Sequence, residues 1–243
     1  NENKDDKEII DTSITILKKA GIKNAKVKIG NFKLFELLIQ KLSIPERWKK
    51  RLIKFFWNKR YFSELLKRLE SNLDIDPFVV ASDQKTYLKM KKENPNKIIA
   101  GRSYKEILER YEKKIKDPRI TKTGKQSCKI IKEFLKIKCP LKRAPEELNK
   151  FYKKYNLNIS VGKEFFPITN FKQKNLKFEF STSNGRGREV EYYSSFIFSI
   201  DIKIKNKQKT FISGGRFNDL TSKILGLRKI PAVGCAVNLG VYE

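Results

Sequence analysis

Arg188, Glu191, Tyr192 and Tyr193 stand together in the run Gly187-Arg188-Glu189-Val190-Glu191-Tyr192-Tyr193. An arginine fork pairs with a carboxylate, a tyrosine hydroxyl both donates and accepts, and an acid such as Glu191 holds an amine or an imidazolium. Those residue types together would recognise an amino acid. On a strand one tyrosine of the pair faces the sheet surface and the other faces the core. Farther along, Ser213-Gly214-Gly215-Arg216-Phe217-Asn218-Asp219-Leu220 leads from a strand towards a short helix. Paired glycines at that turn permit positive φ and tight packing under a ligand. Taken alone, Gly185-Arg186-Gly187-Arg188 reads equally as a loop of solvated arginines, and Gly214-Gly215 as a plain strand-to-helix turn.

Other chemistry is excluded by what the 243 residues lack. There is no histidine, so the chain holds no Ser-His-Asp triad, no histidine base and no His-containing metal site. The three cysteines, Cys128, Cys139 and Cys235, form no C-x-x-C pair, so neither a zinc site nor a disulfide framework is indicated. No metal and no cofactor is expected. A net charge of +28 points first to nucleic acid. Lysine far outnumbers arginine, however, alongside much Ile, Asn and Phe, which is the signature of an AT-rich genome. Phosphate recognition favours the bidentate arginine fork. Nucleic acid is therefore not the expected partner. No apolar run is long enough to span a bilayer, and the polar opening Asn1 to Lys7 is no signal peptide, so a cytoplasmic location is expected.

The elements that must position these residues follow from periodicity. Ile10, Ile14 and Leu17 recur at helical spacing from Asp5 to Ala20, with Gly21 as the stop. Ala25, Val27 and Ile29 alternate with lysines as a half-buried strand closed by Gly30. Asn31 caps a helix with Phe32, Phe35, Leu38, Ile39 and Leu42 on one stripe. Two more helices follow Pro45, joined near Asn58. The stretch from Asp74 to Asn156 shows no strand alternation and reads as helical and basic. Within it Ser103-Tyr104-Lys105-Glu106 is a capping box opening a helix through Ile115, and Pro145 opens another to about Tyr155. After Leu157 alternation returns at Phe178 and Phe180, at Phe196 and Phe198, and at Ile200, Ile202 and Ile204. These predict antiparallel strands with a hairpin turn over Asn206 to Lys209. A helix over Phe217 to Leu225 ending at Gly226 and a last strand over Ala232 to Leu239 complete an α+β pattern.

With these blocks in order, the chain resembles the histidine-recognising half of a histidyl-tRNA synthetase. The family signature Arg-Gly-Leu-Asp-Tyr-Tyr matches Arg188 and both tyrosines, while Glu189, Val190 and Glu191 replace its glycine, leucine and aspartate. Gly214-Gly215-Arg216-Phe217-Asn218-Asp219-Leu220 resembles the family's Gly-Gly-Arg-Tyr-Asp-Gly-Leu. Where the third class-defining motif ends in Glu-Arg, the Arg holding ATP, this chain reads Gly240-Val241. Loss of that arginine, with Ile99-Ala100-Gly101-Arg102-Ser103 and Ile107 to Arg110, resembles the regulatory subunits of ATP phosphoribosyltransferase, which are non-aminoacylating paralogues of the synthetase.

The resemblance implies one class II synthetase-like domain over 1–243, an antiparallel sheet flanked by helices, with motifs one and two lying before Asn1 and a basic helical insertion over 74–156. It implies a non-catalytic subunit needed for activity and histidine feedback in the first step of histidine biosynthesis. The expected partners are a catalytic phosphoribosyltransferase subunit, histidine as effector and a second copy of the chain. Arg188, Glu191, Tyr192, Tyr193, Gly214, Gly215 and Arg216 are the expected histidine-binding residues. Two other readings stay open: a fragment of a true synthetase, for which position 241 would be arginine, and an RNA-binding module using the basic middle, with Tyr87, Tyr104 and Tyr111 as stacking platforms.

Overall fold

A computed structural model describes residues 2–71, 75–93, 98–117, 121–166, 175–187, 192–226, 228 and 230–241. In chain order the elements are α1 (Glu2–Lys19), β1 (Ala25–Asn31), α2 (Phe32–Lys41), α3 (Glu46–Lys54), α4 (Lys59–Glu70), α5 (Pro77–Lys91), β2 (Ile98–Ile99), β3 (Arg102–Ser103), α6 (Tyr104–Ile115), α7 (Thr121–Phe134), β4 (Lys138–Pro140), α8 (Ala144–Lys154), β5 (Leu176–Ser181), β6 (Phe196–Ile204), β7 (Lys207–Arg216), α9 (Leu220–Leu225) and β8 (Val233–Val237).

Two compact units result, one made of Asn1–Lys41, Phe56–Asn58 and Ile131–Glu243, the other of Leu42–Phe55 and Lys59–Ile130. The first holds a six-stranded sheet in the order β4-β5-β1-β6-β7-β8. Its neighbours are antiparallel, as the alternation predicts, except that β5 runs parallel to β1 with Val27 beside Phe178 and Ile29 beside Phe180. The sheet is therefore mixed. Directly opposite residues share a face. One face carries Val27, Ile29, Phe180, Phe198, Ile200 and Ile212, all buried among the described residues. Helix α1 covers this face near β8, with Ile10, Ile14 and Leu17 buried and Ser13 Oγ donating to Cys235 Sγ at 3.5 Å. An aromatic cluster ties α2 to the 56–58 segment, Phe35 to Phe56 at 4.4 Å and Phe32 to Trp57 at 5.0 Å between ring centroids.

The opposite face is polar near β1 and β6. Lys28 pairs with Asp201 at 2.6 Å, and Thr210 donates to the same carboxylate at 2.8 Å. Lys26 and Lys138 both reach Glu179, at 2.7 and 3.3 Å.

In the second unit the Ser103 capping box forms as the sequence predicts, Glu106 N donating to Ser103 Oγ at 3.3 Å and Ser103 N to Glu106 Oε2 at 3.0 Å. Trp48 is buried and its Nε1 donates to Asp117 at 3.1 Å, while Arg47 Nε reaches the same oxygen at 3.1 Å. The insertion expected over 74–156 overlaps this unit as far as Ile130.

Some local expectations change. Lys205 and Asn206 both take positive φ, +46° and +61°, so a two-residue turn of the kind that matches strand twist closes the hairpin, and Lys207 already belongs to β7. The turn expected over Asn206 to Lys209 thus falls earlier. Helix α9 begins at Leu220, not Phe217; Phe217 N instead donates to Ala232 O at 2.8 Å and its carbonyl takes Leu220 N in a turn at 3.1 Å. Gly226 at φ +66° ends it, as read from the sequence. The middle of the chain is not free of strands: Lys138–Pro140 forms the sheet edge, and Ile98–Ile99 pairs with Arg102–Ser103.

Candidate functional site

A cross-strand row on the polar side of the first unit sets the site. Gly30, Ile197, Gly215 and Gly234 lie directly opposite one another on β1, β6, β7 and β8. Three of the four have no side chain, so the sheet surface is bare there and other residues settle onto it. Asn184 covers Gly30, Tyr193 lies over Gly215, and Phe217 lies over Gly234. A cavity of about 330 Å³ opens between them, lined by Tyr192, Tyr193, Phe217 and Leu220 above and by Ile197, Ser213, Gly214 and Gly234 below.

The lining is aromatic and apolar with a few polar groups, as in small-molecule sites generally. Tyr192 and Tyr193 stack obliquely, 4.7 Å between centroids, and Tyr192 meets Phe217 edge-on at 6.0 Å. Among the described residues that line the cavity there is no carboxylate, lysine or arginine. Neither a general base nor a charged transition-state clamp is provided by them. In the next row Ser199 lies opposite Ser213, and its buried Oγ has no hydrogen-bond partner among the described residues.

The residues expected from the sequence separate into three groups. Tyr192, Tyr193 and Gly214 line the cavity, and Gly215 lies directly beneath the Tyr193 ring without lining it. Arg188 and Glu191 lie outside the described residues. Arg216 is on the far face of the sheet, 1% exposed, with Nε and Nη2 on Asp6 Oδ1 at 2.8 and 2.7 Å and Asp5 at 3.7 Å. It is one residue out of phase with Gly215, so strand alternation turns its side chain to α1.

Arg186 has a structural task. Its Nε donates to Phe56 O at 2.9 Å and its guanidinium lies 5.1 Å from the Phe56 ring centroid, where burial pushes its pKa down to about 10. With Gly187 N on Trp57 O at 2.9 Å, it anchors the loop that leads to Arg188. Sequence reading missed the walls Ile197, Phe217 and Gly234, which carry no chemical group to draw attention. Register alone brings them together. As for stacking platforms, Tyr104 is buried with its hydroxyl on Glu93 at 2.5 Å; that hydrogen bond raises the phenol to about 12. Among the described residues no group of three or more Cys, Asp or Glu side chains is placed to hold a metal, and no helix is long and apolar enough to cross a membrane.

The mixed sheet flanked by helices is a fold shared with a solved histidyl-tRNA synthetase. Histidyl-tRNA synthetase from Nostoc sp. PCC 7120 superposes with a TM-score of 0.52 over 99% of this chain and 46% of its own, at 17% identity. In sequence the chain is similar to ATP phosphoribosyltransferase regulatory subunits. That of Rhizobium rhizogenes (strain K84) is 27% identical over 235 residues, 91% of this chain and 62% of the relative. That of Sinorhizobium fredii (strain NGR234) is 26% identical over 236 residues, 90% of this chain and 61% of the relative. The chain thus spans about three-fifths of the length of these curated relatives. No family model matches.

Proposed function

We propose that this chain is a non-catalytic regulatory subunit of ATP phosphoribosyltransferase, and that the cavity under Tyr192 and Tyr193 takes histidine as the feedback effector. The observation that carries the first part is similarity to regulatory subunits over nine-tenths of the chain. Gly240-Val241 in place of the Glu-Arg pair supports it, since adenylation needs a cation to hold the nucleotide. Support for the second part is geometric: a half-open aromatic cavity with no charged group among its described lining, next in sequence to Arg188 and Glu191. Those two would supply the charges for the carboxylate and for the amine or imidazolium. Histidine inhibits only if it prefers one state of the complex, so the cavity must differ between states.

The test is formation of phosphoribosyl-ATP by the catalytic subunit of the same genome, with and without the full product of this gene, and with added histidine. Activity that requires this protein and falls with histidine is the expected result. Charging of tRNA with histidine, with no stimulation of the transferase, would identify a synthetase instead.

A further inference from the structure

Arg216 has the residue type and motif position of a ligand clamp, yet its guanidinium points away from the cavity and is nine-tenths or more buried against Asp6. What it does there is legible from the bonds around it. Nη1 donates to Asn218 Oδ1 at 3.3 Å, and the same oxygen accepts from Ala232 N at 3.1 Å. Asn218 N donates to Ser194 Oγ at 3.2 Å, and Ser194 returns two bonds to Arg216 O, from its N at 2.8 Å and its Oγ at 3.2 Å. Phe217 N closes the circuit on Ala232 O at 2.8 Å.

Each member of this ring is a cavity wall or lies within two residues of one. Ser194 follows Tyr193, Phe217 lies between Arg216 and Asn218, and Ala232 stands two residues before Gly234. The ring is therefore a frame for the cavity, built at the strand ends, and its one charged member is neutralised by α1. Buried cations need such a partner. We infer that Asp6 is a positioning residue for the effector site: through Arg216 and Asn218 it fixes the relative places of Tyr193, Phe217 and Gly234, without touching the ligand. The identity of the effector rests on the histidine reading above; the positioning role does not.

Two readouts test it in the full gene product. Hydrogen exchange of the amides of Ser194, Phe217, Asn218 and Ala232 reports the frame without any ligand, and calorimetric titration with histidine reports the cavity. Asp6→Asn keeps the shape and removes the charge. It is expected to speed exchange at those four amides and to weaken histidine roughly tenfold, the scale of a modest coupling between sites. A second variant, Asp6→Leu with Arg216→Met, removes the charge pair as a unit, a replacement that often preserves stability. It still removes the bond from Arg216 Nη1 to Asn218 Oδ1, so thermal stability is expected to recover while histidine binding stays weak. Full recovery of affinity in that variant, or unchanged amide exchange in Asp6→Asn, overturns the positioning role. If the unaltered protein binds no histidine, the effector reading fails by itself, and the amide exchange alone decides the role of Asp6: faster exchange upholds it and unchanged exchange overturns it.

Discussion

Gly215 lies directly beneath Tyr193, so close that a Cβ built on it would meet the ring at 2.9 Å and the Phe196 carbonyl at 2.5 Å. The carbonyl cannot swing away as a side-chain end would, because it belongs to the neighbouring strand. Gly215→Ala must therefore shift backbone as well as lift Tyr193, at a cost of about 1–3 kcal/mol for overpacking. The expected outcome is a lower denaturation midpoint together with weaker histidine binding. Loss of affinity without loss of stability would mean that Tyr193 moves alone; no change in either would remove Gly215 from the site.

Asp117 provides the complementary case in the second unit. One of its oxygens accepts from Trp48 Nε1 and from Arg47, and its side chain is 1% exposed. Asp117→Ala removes the buried acceptor that Trp48 Nε1 and Arg47 share, which costs on the order of 1–3 kcal/mol. The loss is expected to appear as faster amide exchange in α3 and α6, with histidine affinity of the folded protein unchanged. Affinity that falls in step with Asp117 would place part of the effector site in the second unit.

Local signals in the sequence carried the elements well. The Ser103 capping box, the stop at Gly226, Asn31 accepting from Lys33 N at 3.0 Å and the alternation of β5 and β6 were all legible because each depends on residues a few positions apart. The parallel pairing of Ala25–Ile29 with Leu176–Phe180 was not, since strands that alternate alike carry no mark of direction across so long an interval. Strand β4 was missed because three residues ending in Pro140 give no period, and proline is tolerated only at such an edge. Residue type drew attention to Tyr192 and Tyr193, which line the cavity, and also to Arg216, which does not. Phase corrects the last: Arg216 sits an odd step from Gly215, and Asp6, its partner, is 210 positions away with nothing in its own neighbourhood to announce the pairing.

Cys139 tests burial chemically. Desolvation, its largest influence, with the acids Glu147 and Glu179 nearby, raises the thiol from 9.0 to about 11. The thiolate is the nucleophile, so raising the pKa leaves less of it at neutral pH. The sign for stability follows: the folded state holds the proton more tightly, so its contribution is full below about pH 9 and is lost as pH rises towards 11. Iodoacetamide labelling of the native protein, read by peptide mass, is expected to be slow at pH 8 and to climb with a midpoint near 11 rather than 9 at Cys139. A midpoint near 9 would show that the thiol is solvated and that the β4 edge is open there.

On the proposed histidine reading, recognition of the carboxylate falls to Arg188, because the described walls of the cavity carry no cation. Those walls include Tyr192, Tyr193 and Ser213, and Arg216 is committed to Asp6. A charge-assisted bidentate bond in a partly enclosed site contributes about 1.5–3 kcal/mol, or roughly ten- to a hundredfold in affinity. Arg188→Ala is therefore expected to weaken histidine binding by that factor with little change in stability, and histidinol, which lacks the carboxylate, should bind the altered and unaltered proteins alike. Because the difference between the two ligands isolates the carboxylate, a loss shared equally by histidine and histidinol would assign Arg188 to the loop rather than to the ligand, and unchanged affinity for both would sink the assignment.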